Sequence, residues 1–206
     1  MTTFIVEFWS TIFSWLAWVS PFRWIRALFK STKGSYLFVE IWVLSHLVLS
    51  VLLLVLFCPG ALSFIKFLLI AYGCLRVFEI VIYQINVLFF DEYRAKKAGK
   101  DYAVKNFRRL VLLLLHNYVE IIFWYALGYL TFNTAFQNGL VNLRSACHAL
   151  GLSFNIMTTF GIGTTSPIGP IGFYLVFSQG VIGLFMALVV LARFIALLPS
   201  PKTLDG

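Results

Sequence analysis

Residues 145–170 read SACHALGLSFNIMTTFGIGTTSPIGP, and how this stretch lies in space decides the fold. Positions 145–157 are helix-compatible but too few to cross a bilayer, which takes about 20 apolar residues. Thr158, Thr159, Phe160, Gly161, Ile162, Gly163 and Thr164 follow at once. After Pro167 and Gly172 the chain is apolar again for a full span. Non-helical backbone at membrane depth is tolerated only where it lines water or is buried in protein. Short helix, polar glycine loop, spanning helix: this order predicts a re-entrant segment.

The rest of the chain supplies the membrane. Of 206 residues, 61% are hydrophobic and 12% charged, and the mean hydropathy is +0.91. Soluble domains carry roughly half apolar and about a quarter charged residues, so lipid is the expected solvent for most of this surface. Four segments are long enough to span, roughly 36–57, 67–90, 110–131 and 171–198. Cys58-Pro59-Gly60 ends the first, and the short joint to Lys66 makes the first two an antiparallel hairpin. The fold class expected is an all-α membrane protein of four transmembrane helices with a re-entrant helix and loop. Four regions follow: 1–34, an N-terminal amphipathic interfacial segment; 35–109, a peripheral two-helix hairpin with a basic loop; 110–198, the region holding the re-entrant segment; and 199–206, a short tail.

The net charge of +8 is read first as topology, not as a nucleic-acid surface. Arg23, Arg26, Lys30 and Lys33 precede the first span, and Arg94, Lys96, Lys97, Lys100, Lys105, Arg108 and Arg109 fill the connection between the second and third. The opposite loops hold only Lys66 and Arg144. The positive-inside rule then puts both termini and the 91–109 loop in the cytoplasm. No cleavable signal is expected, because the basic residues follow the first apolar run.

Residues 3–29 are rich in aromatics, Trp9, Trp15, Trp18 and Trp24 among them, and Pro21 divides them. Tryptophan prefers the headgroup level, so an amphipathic helix lying on the inner leaflet is expected; a fifth span is the competing reading.

Thr158, Thr159, Gly161 and Gly163, between a short helix and a proline-led spanning helix, resemble the pore signature of the potassium-channel family, over roughly 110–198. Phe160 stands at that signature's valine, Ile162 at its tyrosine and Thr164 at its aspartate. Pro167 and Gly172 fall where many such channels have an outer-mouth proline and glycine. The resemblance implies a homotetramer whose filter residues 158–163 bind potassium or another monovalent cation through backbone carbonyls. Glycine suits the backbone angles this needs. It implies too that Asn155 and Thr164 support the filter from behind, and that Gly180 and Gly183 form a candidate gating hinge. Ile162 and Thr164 lack the phenol and carboxylate that hold such filters at fixed width, so selectivity is expected to be weak.

Within the spans, Glu40, His46, Arg76, Glu79, His116, Asn117 and Glu120 should face protein or water. Arg76 with Glu79, and His116 with Glu120, share helical faces at spacings that allow pairing. Cys58, Cys74 and Cys147 show no metal spacing, no cofactor is expected, and no cluster suggests an enzyme. The localisation expected is a bacterial inner membrane. A rival class is a non-conducting sensor or anchor, recruiting a soluble cytoplasmic partner through Arg94, Lys96, Lys97 and Lys100, for instance in a defence or signalling complex; those residues also suit lipid headgroups.

Overall fold

A computed structural model describes residues 4–28, 35–56, 63–101, 107–137, 143–159 and 165–195. The described residues are helical almost throughout: α1 (Phe4–Leu16), α2 (Pro21–Leu28), α3 (Tyr36–Val55), α4 (Ser63–Ile85), α5 (Asp91–Lys97), α6 (Phe107–Thr131), α7 (Ala146–Thr158) and α8 (Gly169–Ile195). A 3-10 turn, Ala17–Val19, follows α1, and a π-helical turn, Asn86–Phe90, joins α4 to α5. By length and composition, α3, α6 and α8 can cross a membrane.

The distribution of apolar side chains is inverted relative to a water-soluble bundle. On α3, Leu37, Ile41, Leu44, Val48, Leu52 and Val55 are exposed, whereas His46 and Ser50 are buried. On α8 the exposed stripe is Tyr174, Phe177, Val181, Leu184, Leu188, Leu191 and Ile195, and Gln179 lies inside. Spacings of three and four put each stripe on one helical face. A face more apolar than the one it hides is stable only against lipid or another apolar surface.

Packing is directional. Arg109, at the start of α6, donates to Glu40 at 2.5 Å and to the Tyr36 carbonyl at 3.0 Å, so α3 and α6 start at the same end. α4 runs the other way: its Tyr72 meets His46 of α3 at 2.6 Å while Arg76, one turn further on, lies over the earlier Trp42 at 6.0 Å, and Arg76 meets Glu120 of α6 at 2.7 Å. Gly73 allows the α4–α6 approach, since a β-carbon there would stand 2.7 Å from the Trp124 ring. Ser35 starts α3 by accepting from the Phe38 N–H at 3.3 Å, a cap that contributes about 1 kcal/mol.

Three of the expected spans fall on α3, α6 and α8, while the expected span 67–90 overlaps α4 only in part, since the α-helix runs Ser63–Ile85 and passes into the π-helical turn at Asn86–Phe90. The N-terminal segment is shorter than a span. At 13 residues, α1 covers about 20 Å, against about 30 Å of hydrocarbon. It docks on the end of α4: Phe13 stacks on Phe90 at 5.6 Å, and Asn86 donates to the Phe13 carbonyl at 3.2 Å.

Candidate functional site

The site is built around α7, which is held by three hydrogen-bonded contacts to its neighbours. Ser153 donates to the Ile122 carbonyl of α6 at 2.7 Å, and Gln179 of α8 donates to the Ser153 carbonyl and hydroxyl at 2.9 and 2.7 Å. Tyr129 donates to Gln179 at 2.7 Å and completes that amide. One turn further on, Tyr118 of α6 donates to the Met157 carbonyl at 3.0 Å. Ser153, Gln179 and Glu120 are 0% exposed, so each of these groups depends on its partner: a buried polar group left alone costs about 1–3 kcal/mol.

These contacts give α7 its direction. As α7 advances from Ser153 to Met157, its partners on α6 go back from Ile122 to Tyr118. On α8 they advance from Gln179 to Gly183, where a β-carbon would stand 2.8 Å from the Met157 carbonyl oxygen. Thus α7 is antiparallel to α6 and parallel to α8. Yet α8 begins at Gly169, only ten positions after Thr159. Gly183 is fourteen positions into α8, about 21 Å along its axis. The end of α7 therefore lies deep beside α8, and the chain returns to the α8 start within those ten positions. That start is fixed to the end of α6: Gln137 donates to the Ser166 carbonyl at 2.9 Å and Ile168 to the Ala135 carbonyl at 2.7 Å, around a bridge between Phe136 and Pro167. Gly172 fits closely under this bridge; a β-carbon there would collide with the Ala135 carbonyl oxygen and touch Pro167.

Thr159 ends α7 in the left-handed region, φ 57° and ψ 26°, with its N–H turned back to the Asn155 and Ile156 carbonyls. A β-branched residue there is strained by about 1–2 kcal/mol. Its hydroxyl donates to the Thr158 carbonyl at 2.7 Å, and Thr158 donates to Phe154 at 2.8 Å. Phe160, Gly161, Ile162, Gly163 and Thr164 lie outside the described residues. Asn155 is half-buried on α7 and makes no side-chain hydrogen bond to another described residue. Of the two glycines read as a hinge, Gly183 packs against Met157, while a β-carbon at Gly180 meets no described atom within 4 Å.

A second polar cluster lies between α4 and α6. Arg76 is 4% exposed. It makes a two-pronged contact with Glu120, 2.7 and 3.0 Å, and a bond to Glu79 at 2.5 Å. Trp124 donates to Glu120 at 3.1 Å. Glu79 also accepts from the Ser20 hydroxyl and, at 2.8 Å, from the Phe22 N–H at the start of α2. The Arg76–Glu79 pairing matches the spacing argument. His116 and Glu120 do not pair: Glu120 turns inward to Arg76, and His116 meets its own helix at the Leu112 carbonyl. A buried guanidinium with five donors outcompetes an imidazole at the helix surface for the carboxylate.

The basic residues proposed for docking are partly occupied within the chain. Arg94 donates to Ser10 and, at 2.7 Å, to Asn86; Lys97 pairs with Glu7 of α1, and Lys96 with Glu92 at 2.6 Å. Glu7 raises the Lys97 ammonium above its usual range. Lys100 is exposed. Among the described residues no group of three His, Cys, Asp or Glu side chains is placed to hold a metal. No family model, curated protein or solved structure matches the chain.

Proposed function

We propose that the chain is one subunit of a homotetrameric, potassium-channel-like cation channel with weak selectivity. The observation that carries this reading is the parallel placement of α7 against α8, with Met157 beside Gly183 and α8 starting ten positions beyond Thr159. Ten residues of helix cover about 15 Å, too little for a return of about 21 Å, whereas extended chain of that length reaches about 33 Å. In this reading Thr158 closes α7, and residues 159–163 form the filter beyond it and turn their carbonyls to the four-fold axis. There they replace the hydration shell of a potassium or other monovalent cation. α7 is the pore helix, and its negative C-terminal end favours a cation in the cavity below. Tyr118, Ser153, Gln179 and Gly183 hold that end in place.

α4 completes the set of four spans. Its Arg76 and Glu79 are tolerable at membrane depth because Arg76 is shared between Glu79 and Glu120, and Ser20, the Phe22 N–H and Trp124 donate to the carboxylate charge left over. The even number of spans puts both termini on the basic, cytoplasmic side of a bacterial inner membrane, with α1 and α2 lying at its surface. The anchor alternative is less well supported, since Arg94 and Lys97 are bound to α1.

The test is flux. The full chain reconstituted into potassium-loaded liposomes should pass potassium, and Gly161→Asp should abolish it. Absence of monovalent cation flux from either membrane orientation, with an ionophore control working, would refute conduction.

A further inference from the structure

A cavity of about 350 Å³ lies between the N-terminal segment and the α5 end of α4, lined by Arg23, Arg26 and Arg94 with Ser14, Ser20 and Asn86. Its carboxylates are already engaged: Glu79 with Arg76, Ser20 and Phe22, and Asp91 with Arg94 at 3.6 Å. Arg94 is further held by Ser10 and Asn86. Arg23 and Arg26 have no carboxylate among the described residues. Arg23 lies over Trp18 at 4.6 Å and donates to the Ser14 carbonyl at 3.4 Å, and Arg26 lies over Phe22 at 5.8 Å. The Arg23 charge is also felt by Arg94, whose guanidinium is held below its usual range chiefly by burial and further by Arg23. Two unneutralised guanidiniums thus converge on one cavity.

We infer that this cavity binds a phosphate ester, supplied by the headgroup of an anionic phospholipid. Guanidinium forks match phosphate oxygens in geometry and charge, and the hydroxyls and amide of Ser14, Ser20 and Asn86 supply further polar contacts. The lipid source is favoured by the exposed tryptophans of the same N-terminal segment. Trp15, Trp18 and Trp24 are 75%, 62% and 63% exposed, and indole rings settle at headgroup level. Basic pockets at helix ends on that level hold anionic headgroups. The bound lipid would tie α2 to α5 through Arg23, Arg26 and Arg94, beside the Glu79 carboxylate that already joins α4 to Ser20 and Phe22.

The full-length protein in phosphatidylcholine vesicles, titrated with phosphatidylglycerol bearing brominated acyl chains, tests this by quenching of tryptophan fluorescence; brominated phosphatidylcholine gives the reference. Wild type should prefer the anionic lipid. Arg23→Gln and Arg26→Gln should each lower that preference about fivefold, and together about thirtyfold. Lys96→Gln with Lys100→Gln, on α5 and just beyond it, should leave it unchanged, and the single variants keep the test readable where the double one folds poorly. Equal losses from the lysine pair would overturn the site in favour of diffuse surface charge. So would a wild type without preference. Competition by millimolar inorganic phosphate would overturn the lipid assignment and give the cavity to a soluble anion.

Discussion

Replacing Gly183 with alanine tests why a glycine stands there. The added β-carbon would lie 2.8 Å from the Met157 carbonyl oxygen and 3.2 Å from the Met157 Cα. Both are backbone atoms, so no side-chain rotation relieves the overlap, and the end of α7 must retreat by about half an ångström to ordinary contact distance. The same carbonyl accepts from Tyr118 at 3.0 Å, so the retreat also disturbs the bond that seats α7 on α6. Overpacking of this kind costs about 1–3 kcal/mol. At roughly 2–4 °C per kcal/mol for a chain of this size, the melting temperature falls by about 5 °C. Gly180→Ala behaves oppositely. Its β-carbon meets no described atom within 4 Å, and alanine is favoured over glycine in a helix interior by about 1 kcal/mol, so stability is kept or gained. Thermal unfolding in detergent and potassium flux in liposomes read both variants. Close packing predicts loss on both assays for Gly183→Ala alone. Loss of flux in Gly180→Ala, with Gly183→Ala melting and conducting like wild type, would refute the packing argument and restore a hinge.

Arg76→Met leaves Glu79 and Glu120 buried without their cation, which costs about 3–5 kcal/mol; melting should show it, and adding Glu120→Gln should recover part of the loss. Gln179→Leu strands the Tyr129 hydroxyl and costs about 1–3 kcal/mol, whereas adding Tyr129→Phe removes the stranded group and restores much of the stability. Burial raises the Asp91 carboxyl above its usual pKa, against the pull of Arg94 and Arg193. The fold therefore disfavours the charged form, and this contribution to stability is present at low pH and lost as pH rises from the ordinary carboxylate value through the raised one. Asp91→Asn should accordingly melt higher than wild type at neutral pH and converge with it in acid; a variant less stable at neutral pH would contradict this sign.

Much of the helical layout was legible in the sequence because lipid imposes length and hydropathy directly. Expected spans at 36–57 and 110–131 fall on Tyr36–Val55 and Phe107–Thr131. Pro167 and Gly172 stood out only through the resemblance, and the close approach of Gly172 to Ala135 and Pro167 is visible only in the packing. Side-chain partners across helices were less legible. Spacing placed His116 and Glu120 on one face, but the partner of Glu120 comes from 44 residues away, a distance that periodicity on one helix does not reveal. The Ser153–Gln179–Tyr129 chain was missed for the same reason, although a glutamine in the middle of an apolar span was a signal. The left-handed Thr159 was unreadable, because threonine rarely occupies that region and only its neighbours hold it there. Docking of α1 onto α5 through Glu7 and Lys97 likewise joins charges that each looked like surface residues.

In the proposed channel, four copies bring their re-entrant segments to one axis. Electron cryo-microscopy of the full chain in lipid nanodiscs with potassium tests it most directly. A four-fold particle with residues 159–163 lining the axis and cation density between them is expected. A dimer, or a four-fold particle with those residues facing lipid, would contradict it.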